Sequence, residues 1–227
     1  MITDPFAIKK FPKYHPKRLV FTAKARYREI ESKLNFDKYA LPYKELSNLP
    51  ILPPTIKWKN TDVTPLQMQH LVKAVSDTDK MTDSVIVEVG CYRGVTTSIM
   101  ANSTCRKVIA VDPYIGYGGS DEDFSIFCQN TKHLSNVVHE RVTSGEAFRH
   151  WHHGPVSLVF IDAVHDYVNT IFDIASWSSL LVPGGILAAH DVDLRRFAGT
   201  RRAAFEFSHF NTLIGHPENL AIFRKDN

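Results

Sequence analysis

In the stretch SLVFIDAVHDY, residues 157–167, an apolar run that reads as a buried strand stops on Asp162 and sets His165 and Asp166 within the next turn. A second apolar run, GGILAAHD at 184–191, ends in His190 and Asp191. Glu88 in SVIVEVG (84–90) and Asp112 in KVIAVD (107–112) stand at or near the ends of two earlier runs. An unperturbed imidazole titrates near ~6.5, so His165, three residues past Asp162, is suited to moving a proton at neutral pH. Burying such groups unpaired is costly, so their place at strand ends points either to a functional rim or to caps on the helices that follow.

The elements that would position them can be read from periodicity. The runs 84–90, 107–112, 136–142, 157–162 and 184–191 are short, β-branched and mostly apolar. Helices fit between them at Thr96–Asn102, Ser144–His150 and Val168–Leu181. An earlier helix is opened by Thr64 as N-cap and Pro65 at its first position, with Leu66, Leu71 and Val75 as its apolar stripe. Strand and helix in alternation imply a parallel sheet covered on both faces, in which ligands bind beyond the carboxyl ends of the strands. Asp162 and Asp191 then reach the same rim. The tail NTLIGHPENLAIFRK differs: two apolar runs around His216 and Pro217 read as an antiparallel hairpin at the sheet edge.

Between the first strand and its helix, VEVGCYRGVTT places Glu88, Gly90 and Gly94 where glycine lets backbone approach a ligand closely. Asp112 follows about twenty residues later, where a carboxylate accepts hydrogen bonds from both hydroxyls of a ribose. The bland alternatives are a tight turn without a ligand and a cap before Pro113. GYGGSDEDF (116–124) reads as a flexible acidic loop, either a lid or a simple connection. Arg195, Arg196, Arg201 and Arg202 lie just beyond the rim. They fit solvated helix charges better than clamps on an anionic acceptor group.

With 227 residues and 44% hydrophobic content, the chain is expected to form one domain over 61–227 with an extension over 1–60. The extension reads as a helix over Ala23–Leu34 followed by a strap marked by Pro42, Pro50, Pro53 and Pro54. Residues 1–50 hold 11 Lys or Arg against 5 Asp or Glu, a balance of +6 that leaves the remainder near −3 of the net +3. Interleaved aromatics there would suit nucleic acid, yet a strap packed on the domain suits them better. No apolar run reaches the ~18 residues of a membrane span, and nothing of signal-peptide type follows Lys9, Lys10 and Lys13, so a cytoplasmic protein is expected. Cys91, Cys105 and Cys128 lack CxxC spacing and suggest neither a disulfide framework nor a zinc knuckle.

The ordered series VIVEVGCYRG, VIAVDP, VTSGEAF, LVFIDAVHDYVNTIFDIASWSSLLVPGGILAAHD and GTRRAAFEF resembles class I S-adenosylmethionine-dependent methyltransferases. The likeness is greatest to the branch with F-I-D-x-x-H-x-Y and a terminal H-D. It implies a Rossmann-like, doubly wound α/β fold with a seven-stranded sheet, mostly parallel, closed by an antiparallel C-terminal hairpin. By the same resemblance Glu88, Gly90, Cys91 and Gly94 cradle the methionine and ribose portions of S-adenosylmethionine. Asp112 takes the ribose, and Ser144 with Glu146 flanks the adenine. His165, with Asp162, becomes the base for an acceptor hydroxyl. Related sugar and catechol-type O-methyltransferases hold a divalent ion, which maps onto Asp162, His190 and Asp191. A histidine in that set favours manganese, iron or zinc over magnesium, or no metal at all. The expected acceptor is a small molecule such as a sugar or secondary-metabolite hydroxyl. An RNA or protein acceptor docked by the basic N-terminus, a non-catalytic nucleotide-binding module, and association into a homo-oligomer remain open.

Overall fold

The computed structural model describes residues 3–116 and 119–226. Seven strands form one sheet: β1 (Val85–Val89), β2 (Val108–Val111), β3 (Val137–Glu140), β4 (Val156–Ile161), β5 (Leu181–Ala189), β6 (Thr212–Gly215) and β7 (Ala221–Arg224). Their order is β3-β2-β1-β4-β5-β7-β6. The first five run parallel, and β7 pairs antiparallel with both β5 and β6. The expected terminal hairpin is present, and it folds back so that β7 lies beside β5 while β6 forms the edge.

Strand residues alternate between two cores. Ile86, Leu158, Phe160 and Ile186 pack with Met68, Leu71 and Val75 of α3 (Pro65–Asp77) and with Ile99 and Met100 of α4 (Val95–Asn102). Val87, Val159, Ile161 and Leu187 face Ile174 and Trp177 of α7 (Tyr167–Leu180) and Ala203 and Ala204 of α8 (Ala198–Phe207). Both faces of the parallel strands are therefore dry, which is why they read as continuous apolar runs. The capping signal of α3 is fulfilled in full: the Thr64 side chain accepts from the Gln67 backbone while the Gln67 side chain accepts from the Thr64 backbone.

Three expectations change. The N-terminal helix is longer than Ala23–Leu34. As α2 it spans Pro16–Leu34, because Pro16 sits at its first turn, where a missing N–H costs nothing. A short α1 (Pro5–Lys9) precedes it. The acidic half of the expected loop is helical: Ser120 caps α5 (Asp121–Thr131), whose first turn carries Asp121, Glu122 and Asp123 against the positive end of the helix dipole. Tyr117 and Gly118 of that loop lie outside the described residues.

The third change concerns the arginines. Arg195 and Arg196 are exposed, but Arg201 and Arg202 are buried rather than solvated. Arg202 donates to Glu31 at 2.6 Å and to Glu206 at 2.8 Å, and Arg201 pairs with Asp193. The Arg202–Glu31 pair fastens α2 to α8, and the bare Cα of Gly199 leaves room for the Glu29 carboxylate beside the start of α7. No helix among the described residues is long and apolar enough to cross a membrane.

Candidate active site

A cleft opens beyond the carboxyl ends of β1, β2 and β4. Glu88, Gly90, Cys91, Asp112, Ser144, Asp162 and His165 all line it, so chemistry-bearing residues spread over 78 positions share one chamber.

The turn after β1 is built around two glycines with left-handed backbone, Gly90 at φ 88° and Gly94 at φ 71°. A Cβ on Gly90 would collide with the carbonyl oxygen of Asp162, so this glycine lets the ends of β1 and β4 close together. Gly94 lies outside the cleft lining. It caps α4, and a Cβ there would strike the Phe127 ring. Asp112 fixes the same turn: Oδ2 accepts N–H bonds from Cys91 (2.9 Å) and Tyr92 (3.1 Å), and Oδ1 accepts from Tyr114 (2.9 Å). Three of the roughly four acceptor positions of the carboxylate are thus used by the protein itself. Beneath the cleft, burial pushes the Glu88 carboxyl well above its ordinary range despite the hydroxyl that Thr97 donates to it. Burial likewise raises the Cys91 thiol, so Cys91 contributes backbone rather than a reactive sulfur.

On the side toward β3, the Ser144 hydroxyl donates to Asp173 and accepts from the Trp177 indole at 2.9 Å. Both Ser144 and Asp173 line the cleft, and burial pushes the Asp173 carboxyl up to about 7. Glu146 does not join them. In α6 (Ser144–Arg149) its carboxylate closes a capping box with Thr143 and pairs with Lys10 at 2.7 Å, contacts that hold it down at about 2. Of the two residues expected to flank an adenine, one is on the cleft wall and the other is a helix cap.

Adjacent strands β4 and β5 deliver the acid and imidazole groups. Nε2 of His165 lies 3.1 Å from Asp162 Oδ1 and 3.4 Å from Asp191 Oδ2. Nδ1 of His190 lies 3.2 Å from Asp162 Oδ1 and 3.6 Å from Asp191 Oδ1. One potential ligand atom from each of the four residues falls within 4.8 Å of the others. Asp191 reaches this position because its own backbone is left-handed, at φ 60°. Burial opposes ionisation of Asp162, but the His190 and His165 rings outweigh it and hold the carboxyl below the usual range. Burial raises the Asp191 carboxyl, and it resists protonation of His190, whose net shift is nonetheless upward because Asp162 stands beside it. Asp166 answers differently: it is the N-cap of α7, accepting the Asn169 N–H at 2.9 Å. The acidic end of β4 is therefore part site and part cap.

Phe6 of α1 and Asn60, Thr61 and Asp62 of the strap also line the cleft, as does Asp173. None carries a motif that would single it out. Gln67 was legible in principle, since it is a polar residue on the buried face of α3 beside Leu71 and Ala74.

Residues 87–192 match the family model described as a methyltransferase domain. The sheet order, with its antiparallel penultimate strand, is the Rossmann-like fold of class I methyltransferases. Among solved structures, the O-methyltransferase NovP superposes with a TM-score of 0.59 at 13% identity over 88% of this chain and 98% of its own. An O-methyltransferase from Klebsiella pneumoniae, so named without proof of activity, gives 0.58 at 15% identity over 99% and 96%. The O-methyltransferase from Bacillus cereus in complex with SAH gives 0.54 at 17% over 88% and 91%. At these identities the likeness is one of fold. No curated protein matches the chain in sequence. Over residues 87–192 the family match and the fold agree on a methyltransferase domain.

Proposed function

We propose that the protein is an S-adenosylmethionine-dependent O-methyltransferase acting on a small-molecule hydroxyl. The observation that carries the reading is the shared chamber: the Gly90–Tyr92 backbone and Asp112 line one part of the cleft, and Asp162 with His165 lines another. Bound S-adenosylmethionine supplies an activated methyl on a sulfonium. The residues beside it have two tasks, alignment and removal of the acceptor's proton. When His165 donates Nε2–H to Asp162, its Nδ1 keeps the lone pair that takes the proton. The ring nitrogen Nε2 lies within 3.4 Å of an oxygen of both Asp162 and Asp191, which fixes the ring's orientation. The His165 ring is kept in place by stacking on Phe197, with centroids 4.5 Å apart. A walled cleft, closed on the strap side by Asn60–Asp62, suits a small acceptor better than a flat polymer surface.

The donor set also fits a divalent metal. Two carboxylates and two imidazoles converge, and such a set suits a borderline ion rather than magnesium. Asp162, His165, His190 and Asp191 would hold it, and its contribution would be to lower the pKa of the acceptor hydroxyl. The test of the whole reading is calorimetric titration with S-adenosylhomocysteine, followed by mass-spectrometric detection of methylated products from a panel of hydroxylated small molecules. Absence of S-adenosylhomocysteine binding would overturn it.

A further inference from the structure

The tautomer of His190 is fixed from outside the site, by residues that sequence motifs do not mark. His190 is 2% exposed, and its Nε2 lies 3.0 Å from Oε1 of Gln67. An oxygen and a nitrogen of an amide are interchangeable only where their partners allow it. Here they do not. Gln67 Oε1 also receives the backbone N–H of Thr64 at 2.9 Å, so an amide nitrogen at that position would face a donor. The other end agrees: Gln67 Nε2 donates to Asn219 Oδ1, and Asn219 Nδ2 donates to Asp191 Oδ1 at 2.9 Å. A backbone N–H at one end and a carboxylate at the other leave one consistent direction for every hydrogen bond between them. His190 must therefore carry a proton on Nε2.

That leaves Nδ1 directed at two carboxylate oxygens, Asp162 Oδ1 and Asp191 Oδ1. A proton or a cation on Nδ1 would be met by both oxygens. The Nε2 atom of His165 converges on the same carboxylates, so a cation would be met by two nitrogens and two oxygens.

We infer that Gln67 is a positioning residue that presents Nδ1 of His190 to the Asp162–Asp191 pair, making this a nitrogen-bearing site for a borderline divalent ion such as manganese, cobalt or zinc. Through Asn219 the same side chain orients the second ligand, Asp191. The inference rests on the methyltransferase reading only for the use of the ion; the site itself stands on the hydrogen-bond directions. Partners that orient a ligand in this way typically change metal affinity by about 10–100-fold when removed.

The experiment is titration of the full chain with Co²⁺ and with Mg²⁺, with visible spectroscopy of the cobalt form and ¹⁵N spectra of the zinc form. The expected results are Co²⁺ binding at one site per chain, much weaker Mg²⁺ binding, and a His190 ring protonated on Nε2 with Nδ1 on the metal. Gln67→Leu should lose about 10–100-fold in Co²⁺ affinity while S-adenosylhomocysteine binding holds, and Gln67→Glu, which keeps the acceptor for His190 but loses the donor to Asn219, should recover only part of it. The wild-type ring spectra decide the matter even if Gln67→Leu fails to fold. No Co²⁺ binding, a metal on Nε2, or unchanged affinity in Gln67→Leu would each overturn the inference. S-adenosylhomocysteine binding without Co²⁺ binding would sink the metal site and leave the methyltransferase reading intact.

Discussion

The Cα of Gly90 packs directly on the backbone of Asp162: a Cβ added to Gly90 would collide with the Asp162 carbonyl oxygen and lie 2.9 Å from Cα of Ala163. One residue begins the turn after β1 and the other follows the last residue of β4, so this contact sets the distance between the two walls of the cleft. Gly90→Ala should strain a φ of 88° and push the strands apart. The expected cost is on the order of 2–4 kcal/mol in denaturant unfolding, with loss of S-adenosylhomocysteine binding. Wild-type stability in the variant would mean that the strand ends yield easily.

Asp112 accepts three backbone N–H groups, two of them from the turn after β1. Asp112→Asn replaces one oxygen with a donor that must face N–H groups. Its effect on S-adenosylhomocysteine affinity should be about 10–100-fold, the scale of losing hydrogen bonds to a charged acceptor. Because the turn itself loosens, amide exchange at Cys91 and Tyr92 should quicken even without ligand. Faster exchange with unchanged affinity would confine Asp112 to a structural role.

His165 and the acids beside it make separable contributions. If His165 takes the proton, His165→Ala should lower kcat by about 100-fold or more with S-adenosylhomocysteine affinity nearly constant. If a metal activates the hydroxyl, Asp162→Asn and Asp191→Asn should abolish turnover, and a chelator should reproduce this in the wild type. Full activity in all three variants would make the end of β4 structural.

Asp173 supplies a pH test. Burial raises its carboxyl from about 3.8 to about 7, so the folded chain keeps a proton there that the unfolded chain releases. The contribution of this group to stability is therefore greatest below pH ~4 and falls as pH rises toward ~7, by a few kcal/mol at most. Asp173→Asn, which retains an acceptor for the Ser144 hydroxyl, should flatten that part of the curve. The check is urea unfolding of both proteins across the window; parallel curves would refute the raised value.

The alternating apolar runs determined the parallel sheet, its helices and the rim at the strand ends, because period and β-branching are local properties that burial on both faces must satisfy. Thr64 and Pro65 announced α3 for the same reason. Spacing also placed Asp162 and His165 together, since they lie three positions apart. What lay beyond local pattern was decided by tertiary contacts. Glu146 and Ser144 are neighbours in sequence, yet one pairs with Lys10 and the other faces the cleft. Arg202 looks solvated until α2 brings Glu31 across to it, and Arg201 until Asp193 and the Phe36 ring meet it. Gln67 and His190 stand 123 positions apart, and only the packing of α3 over the end of β5 makes one an acceptor for the other. Hydrogen-bond direction depends on which partners meet, and no one-dimensional pattern records that meeting.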